Sequence, residues 1–407
     1  MKELKIINER LKYVDYIIYL SYILLFVILF WGAKFYGKGT WNDDCLALPQ
    51  FKAIQGFSAI CIMLHHIGQK TCAPWHHPSV IVHGLDTFVP IGYYFVGIFL
   101  LCSGYGLVIS FRKKANYLNG FFGKRILPVI IAFYSTGFIF LIARLLMGEK
   151  MSVGQLIIYI TGLQLCNPNT WYVIAMPMFY VGFYLCFKFF KKEKTAVWMT
   201  CFWIFLYTLL GTCIDHNNWW FRGEWWYNSA HFFSIGVLLA HYEKSIMKNI
   251  KKHYVIYMVL AFILIPVLYV WSEMAQGIFS YYGENFNANF KVLRRWACLI
   301  SQMGASCAFV FFIFMMGMKV KFSNKVLNFM GSITLEFYLI HGLFVELFGY
   351  CFIDDMRPSL YYIRNVSLMV LVVLIPSIPS ALLLKKFHNW LLGILTSKKG
   401  KEVKVAG

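Results

Sequence analysis

The sequence predicts an all-α membrane protein: a polytopic transmembrane helical bundle with ten core spans and an extra span at the N-terminus. Three observations carry this. Of 407 residues, 59% are hydrophobic and only 14% are charged, a balance foreign to soluble domains. Apolar runs near the length of about 20 residues needed to cross a bilayer recur along the chain. The formal net charge of +20 is gathered in short loops between those runs, where it reads as membrane topology and not as a nucleic-acid surface.

The first run, 16–35, follows a charged N-terminus. It is too long and too aromatic for a signal-peptide core, and no small-x-small cleavage site follows it, so it is expected to stay as an anchor. Residues 1–50 are then an anchor span with a linker, 51–385 the membrane domain, and 386–407 a basic tail. The core spans fall at 53–69, 89–111, 126–147, 171–190, 196–214, 229–242, 254–271, 296–318, 332–352 and 363–384. Two of them, 53–69 and 229–242, are short and contain histidine. The stretch 152–165 is apolar but too short to cross, and reads as an interfacial or re-entrant helix. The stretch 272–295 reads as an external loop. Most of the 11 cysteines lie inside apolar runs and act as small hydrophobes. Cys72, Cys166 and Cys351 lie in or beside outside-facing loops, and Cys72 and Cys166 could pair. There is no CxxC motif.

Loop charge sets the orientation. The loops 112–125, 188–194, 243–253 and 319–325 and the C-terminal tail are strongly basic, whereas 70–88, 148–170, 215–228 and 353–362 carry one Lys or Arg each. Basic loops are cytoplasmic, so the C-terminus is expected inside. The exception is 272–295, where Lys291, Arg294 and Arg295 cluster. Around the first span the bias is nearly even, and the ten later spans place the N-terminus outside.

The stretch 51–69 is apolar enough for a membrane yet carries Lys52, Gln55, His65, His66 and Gln69. At about 100° per residue, Lys52, Gln55, Ala59, Ile62 and His66 share one helical face. Polar groups at membrane depth usually face a bundle interior or an aqueous cavity. Two readings fit: this face lines an active site, or His66 is a buried histidine serving a helix carbonyl or a helix end near water. His65, about 100° round the helix, is expected to meet a neighbouring helix or carbonyl. His76, His77, His83 and Asp86 in loop 70–88 match no standard metal spacing and read as solvated loop; no metal site is expected.

Several pieces then combine. QGFSAICIMLHH (55–66), GIFLLCSGYGLVIS (97–110), FFGKRILPVI (121–130), TWYVIAMPMFY (170–180) and GSITLEFYLIHG (331–342) resemble, in that order, the elements of the bacterial acyltransferase family 3 membrane proteins. The resemblance implies an integral membrane O-acyltransferase of the bacterial plasma membrane. Its donor is a cytoplasmic acyl-CoA, most often acetyl-CoA. Its acceptor is a hydroxyl on a cell-envelope carbohydrate or lipid-linked glycan, with membrane lipids around it, no nucleic acid and no tightly bound cofactor. The family's basic residue, ten intervening residues and histidine place the histidine on His66 and the basic residue on Gln55. Gln55 supplies no cation; Lys52, one turn nearer the cytoplasm, could substitute.

The resemblance casts His66 as general base toward the acceptor hydroxyl, with an acyl-imidazole intermediate as the alternative. Glu336 either orients His66 from a facing helix, as the third member of a triad does, or is a protonated carboxyl bonded to Ser or Tyr. His341 lines the same cavity or caps at the interface. Trp171 and Tyr172 are interface-belt residues or substrate-stacking residues, and the Trp219, Trp220, Trp225 and Trp226 group with Arg222 and Glu224 has the same two readings. Arg125 is the preferred ligand for the donor's phosphates, because it starts a span and a helix N-terminus adds N–H groups. A rival class, a transporter or flippase of an envelope glycan or lipid, would use intramembrane His and Glu as proton carriers.

The orientation is directly testable. A cysteine introduced at Asn116 should be shielded from an impermeant thiol reagent in intact cells, and one at Gly84 should be labelled. The opposite pattern would overturn the topology.

Overall fold

The computed structural model describes residues 14–216, 223–279, 289–350 and 359–405, the last nine of these as backbone only. Among them are thirteen α-helices and one two-stranded ribbon. In chain order the helices are α1 (Tyr19–Phe30), α2 (Leu48–Thr71), α3 (Gly92–Lys113), α4 (Leu127–Leu146), α5 (Val153–Thr161), α6 (Trp171–Phe189), α7 (Glu193–Cys213), α8 (His231–Lys252), α9 (Tyr254–Ile278), α10 (Lys291–Lys319), α11 (Lys325–Ser332), α12 (Thr334–Phe348) and α13 (Val366–Val405).

Seven helical segments are long and apolar enough to cross a membrane, or eight if α11 and α12, bent by 82°, count as one span. The chain is a multi-pass membrane protein, but ten spans are not reached by this measure. The shortfall lies in α2 and α8, the two segments with histidines. Both are long, at 24 and 22 residues, yet neither needs a lipid-compatible surface. α2 is enclosed by α3, α11, α12 and α13, and α8 packs between α3, α7 and α9. The lipid-compatible surface belongs to other helices, through residues such as Leu20 and Leu24 of α1, Phe138 and Ile142 of α4, Phe262 and Val267 of α9, and Leu371 and Ile375 of α13.

Close approach at α2 and α8 requires glycine. A Cβ on Gly56 would run into the Leu327 carbonyl, and one on Gly331 into the Lys52 carbonyl. α3 and α8 interlock the same way, Gly104 on the Phe233 carbonyl and Gly236 on the Leu101 carbonyl. Small residues of this kind let membrane helices touch backbone to backbone.

The helices extend into several predicted loops. α8 continues to Lys252, with a kink at Tyr242 (φ −103°, ψ 18°) where the span was expected to end, so the basic stretch 243–252 is helical. α9 and α10 reach Ile278 and Lys291, which shortens the predicted loop 272–295; most of its remainder lies outside the described residues. α13 runs on through the predicted tail. The stretch 152–165 holds the nine-residue α5, started by the Ser152 side chain, which accepts from Gln155 N–H.

The N-terminal segment connects the two ends of the bundle. Asp15 N–H bonds the His83 carbonyl, Asp15 Oδ2 accepts from Ser367 N–H at the start of α13, and Tyr22 donates to the Gly84 carbonyl. At the opposite end Lys34–Phe35 pairs with Val320–Lys321, and Asn324 donates to the Ile28 carbonyl. The helical part is only 15 residues, about 22 Å, and extended chain supplies the rest.

The charge exception at 291–295 also has a structural cause. Arg295 is buried and donates to the Thr212 and Ile214 carbonyls at the end of α7, at 2.9 and 3.0 Å, and Asp215 pairs with Lys291 and Arg295. The Lys291 hydrogen bond is the main influence holding the Asp215 carboxyl below its usual range. These cations serve a helix C-terminus, where positive charge is favoured.

Gly236→Leu should force α3 and α8 apart. Overpacking of this kind costs about 1–3 kcal/mol or more, so the purified variant should melt at lower temperature or fail to insert. Unchanged melting in detergent would show that the contact has slack.

Candidate active site

α2, α3, α6 and α12, with the start of α4, enclose a cavity of about 710 Å³. Lys52, Lys113, Lys114 and Arg125 line one end, Gln55 lies along the wall, and Ile62, Tyr172 and Tyr338 are also in the lining. Ile62 is ten residues after Lys52 on the same helix, about 15 Å along its axis. One further turn on is His66, with its ring centroid 6.3 Å from that of Tyr338. Lys52, Gln55 and Ile62 of the predicted face thus line the cavity, whereas Ala59, His66 and His341 are not in its lining and the histidines lie just beyond its Tyr338 end.

The imidazole of His66 is half-buried and joined to a second imidazole from α12. His66 Nδ1 and His341 Nε2 are 2.8 Å apart, and the rings lie 5.0 Å apart, nearly parallel. His341 is fully buried, with Nδ1 2.7 Å from the Phe337 carbonyl one turn back on its own helix. A carbonyl only accepts, so the network assigns the His341 proton to Nδ1 and, in the neutral ring, the lone pair to Nε2. That lone pair accepts from His66 Nδ1–H. Neutral His66 then carries its own lone pair on Nε2, the form required of a base. His65 turns away, with its Nδ1 donating to the Phe88 carbonyl at 2.9 Å.

Glu336 does not face His66. Five residues before His341, it lies on another side of α12 and meets His388 Nδ1 at 3.3 Å, while His388 Nε2 accepts from Ser135 at 2.7 Å. The expectation of a carboxylate orienting His66 gives way to His341 and a backbone carbonyl. Arg125 lines the cavity, but it is not at a helix start. A π-helical turn, Phe122–Ile126, precedes α4 continuously; Lys124 N–H is bound by the Gly120 carbonyl and Leu127 N–H by that of Phe122. The expected free amides are therefore absent at Arg125. Its Nε donates to the Tyr117 hydroxyl at 2.9 Å, which aims the guanidinium.

Trp171 and Tyr172 divide. Tyr172 lines the cavity with its ring 5.7 Å from that of Tyr338. Trp171 is buried against Trp226 and is not in the lining. Trp219, Trp220 and Arg222 lie outside the described residues, as does Cys351. Cys72 and Cys166 are both buried free thiols, so the pairing considered above is not formed. In loop 70–88, His83 bonds Asp86 and His77 bonds Ser79. His76 Nε2 donates to the Gln69 carbonyl, and burial pushes that imidazole down.

Beyond the histidine pair, on the side away from the basic end, Lys70 and Glu346 form a 3.0 Å ion pair between the same two helices, with side chains 15% and 8% exposed. Glu346, Tyr338 and the His66–His341 bond were not anticipated as site features. Tyr338 left a signal: it stands three residues before His341, on the same face by helical spacing. The His66–His341 bond joins positions 275 apart, and nothing in either local stretch announces it.

A family model described as an acyltransferase domain matches residues 48–385. Comparisons with curated proteins and with solved structures returned no match.

Proposed function

The chain belongs to acyltransferase family 3, and from that premise we propose that it moves an acyl group, acetyl in the simplest case, from acyl-CoA to a hydroxyl of a cell-envelope carbohydrate or lipid-linked glycan. The observation that carries the reading is the His66–His341 relay beside a cavity with a cationic far end. CoA bears a pyrophosphate and a 3′-phosphate, which suit Arg125, Lys52, Lys113 and Lys114. Its thioester would lie deeper, toward Tyr172 and Tyr338.

In this reaction His66 Nε2 takes the acceptor hydroxyl proton as the oxygen attacks the thioester carbon, and returns a proton to the departing thiolate. His341 holds the tautomer and orientation of His66, a part for which the sequence offered Glu336 as one reading. Gln55 offers hydrogen bonds but no charge, and Lys52 carries the cationic part on that helix. The basic end faces the cytoplasm of a bacterial plasma membrane, with the C-terminus on the same side, and the acceptor comes to His66 from the other side.

His66→Ala should leave the protein folded and inserted while lowering transfer by about 10²–10⁴-fold, the range for a general base. The measure is thiol release from acetyl-CoA in nanodiscs made with membrane glycolipid extract, alongside mass spectrometry of envelope glycans from cells with and without the protein. Near-normal turnover would remove His66 from the site. Arg125→Ala should raise the KM for acetyl-CoA and make it less salt-sensitive, leaving the acceptor KM little changed. Loss of one charged contact is worth about 1.5–3 kcal/mol, about ten- to a hundred-fold in donor affinity. An unaltered donor KM and salt dependence would place the phosphates elsewhere.

A further inference from the structure

Four tyrosines line the cavity: Tyr105, Tyr172, Tyr180 and Tyr338. Two have their hydroxyls engaged by protein. Tyr105 donates to Glu243 at 2.9 Å, and Tyr180 shares a 3.0 Å hydrogen bond with Ser103. The other two have no hydrogen-bond partner for the hydroxyl among the described residues. They are the two beside the histidine relay: Tyr338, 7% exposed, with its ring 6.3 Å from His66, and Tyr172, 5.7 Å from Tyr338.

Both hydroxyls open onto the cavity and are not walled off by protein, and phenylalanine would fill the same wall without offering a donor there. Nearby apolar wall positions are filled by residues such as Phe99, Val173 and Met176. The two phenols are therefore suited to a hydrogen-bond acceptor that arrives with a ligand.

We infer that Tyr338 and Tyr172 form the oxyanion site for acyl transfer, donating from their hydroxyls to the thioester carbonyl oxygen. This rests on the function proposed above. The acceptor oxygen bonds to the carbonyl carbon, the C=O π pair moves onto oxygen, and the hydroxyl proton passes to His66 Nε2. The two phenols hold the resulting oxyanion. When the pair returns to re-form C=O, the C–S bond breaks, and the sulfur leaves as thiol with the proton from His66. The phenols stay protonated throughout. Their contribution grows as charge develops, so it appears in kcat and not in ground-state binding.

The test compares Tyr338→Phe, Tyr172→Phe and His66→Ala with wild type, using acetyl-CoA as donor in the nanodisc assay above. Each Tyr→Phe change should lower kcat, by about 10²–10³-fold where one oxyanion donor is lost, with donor KM little changed. A thioether analogue of acetyl-CoA that lacks the carbonyl should bind wild type and both Phe variants equally. Near-normal kcat in both Phe variants, with His66→Ala inactive, overturns the oxyanion site and leaves the proposed function standing. A fall in kcat matched by lost binding of the carbonyl-free analogue also overturns it, because the hydroxyls would then be shaping the pocket. Full activity in His66→Ala would remove His66 as the base and with it the oxyanion site argued beside it, whereas no turnover of acetyl-CoA by wild type would defeat the underlying function.

Discussion

Lys52, Gln55, His65, His66 and Gln69 are side chains that hydrocarbon would expel, and all five stand on one helix inside the bundle. The fold follows from keeping that helix out of lipid. An unpaired polar group in an apolar medium costs several kcal/mol, about 4–8 for an amide or hydroxyl moved into alkane. α2 is therefore surrounded by helices on its several sides, and glycines at 56 and 331 remove the side chains that would hold α11 away. Lipid contact is passed outward to the apolar faces of α1, α4, α7, α9 and α13. The cavity is what remains where the polar face of α2 meets neighbours that do not fill it.

The same constraint shapes the histidine relay. A carboxylate behind His66 would place a further charge in the middle of the bundle, where desolvation costs more than an ion pair often returns. The relay instead ends on the Phe337 carbonyl. It fixes which nitrogen of each ring holds the proton while adding no net charge. Glu336 sits a turn and a half nearer the basic end. There it bonds His388 and lies within electrostatic reach of Lys52, whose other charged neighbour is Lys385.

Charge is consequently layered. Cations gather at one end of the cavity and the Lys70–Glu346 pair lies past the other side of the histidines. Between them are imidazoles, phenols and apolar side chains. Hydrogen bonds are stronger in such a neutral, poorly hydrated layer than in water. In the proposed reaction that layer is where negative charge forms and disappears, and the cations stay with the donor's phosphates.

Composition and hydropathy alone were enough to identify a helical membrane protein, because a bilayer imposes a length and a polarity that local sequence must obey. Helical spacing was enough to put Lys52, Gln55 and His66 on one face, since that is a property of one helix. The number of spans was not legible in the same way: hydropathy measures contact with lipid, and α2 and α8 are covered by protein. Lys291 and Arg295 looked like an exception to loop charge until Asp215 and the end of α7 were placed beside them. Glu336 and His341 lie five residues apart in one apolar run, and the sequence left both as candidate partners for His66. Only the packing of α12 between α2 and α13 separated them, turning His341 toward His66 and Glu336 toward His388. A residue's face is decided by its own helix, but what that face meets is decided by helices hundreds of residues away.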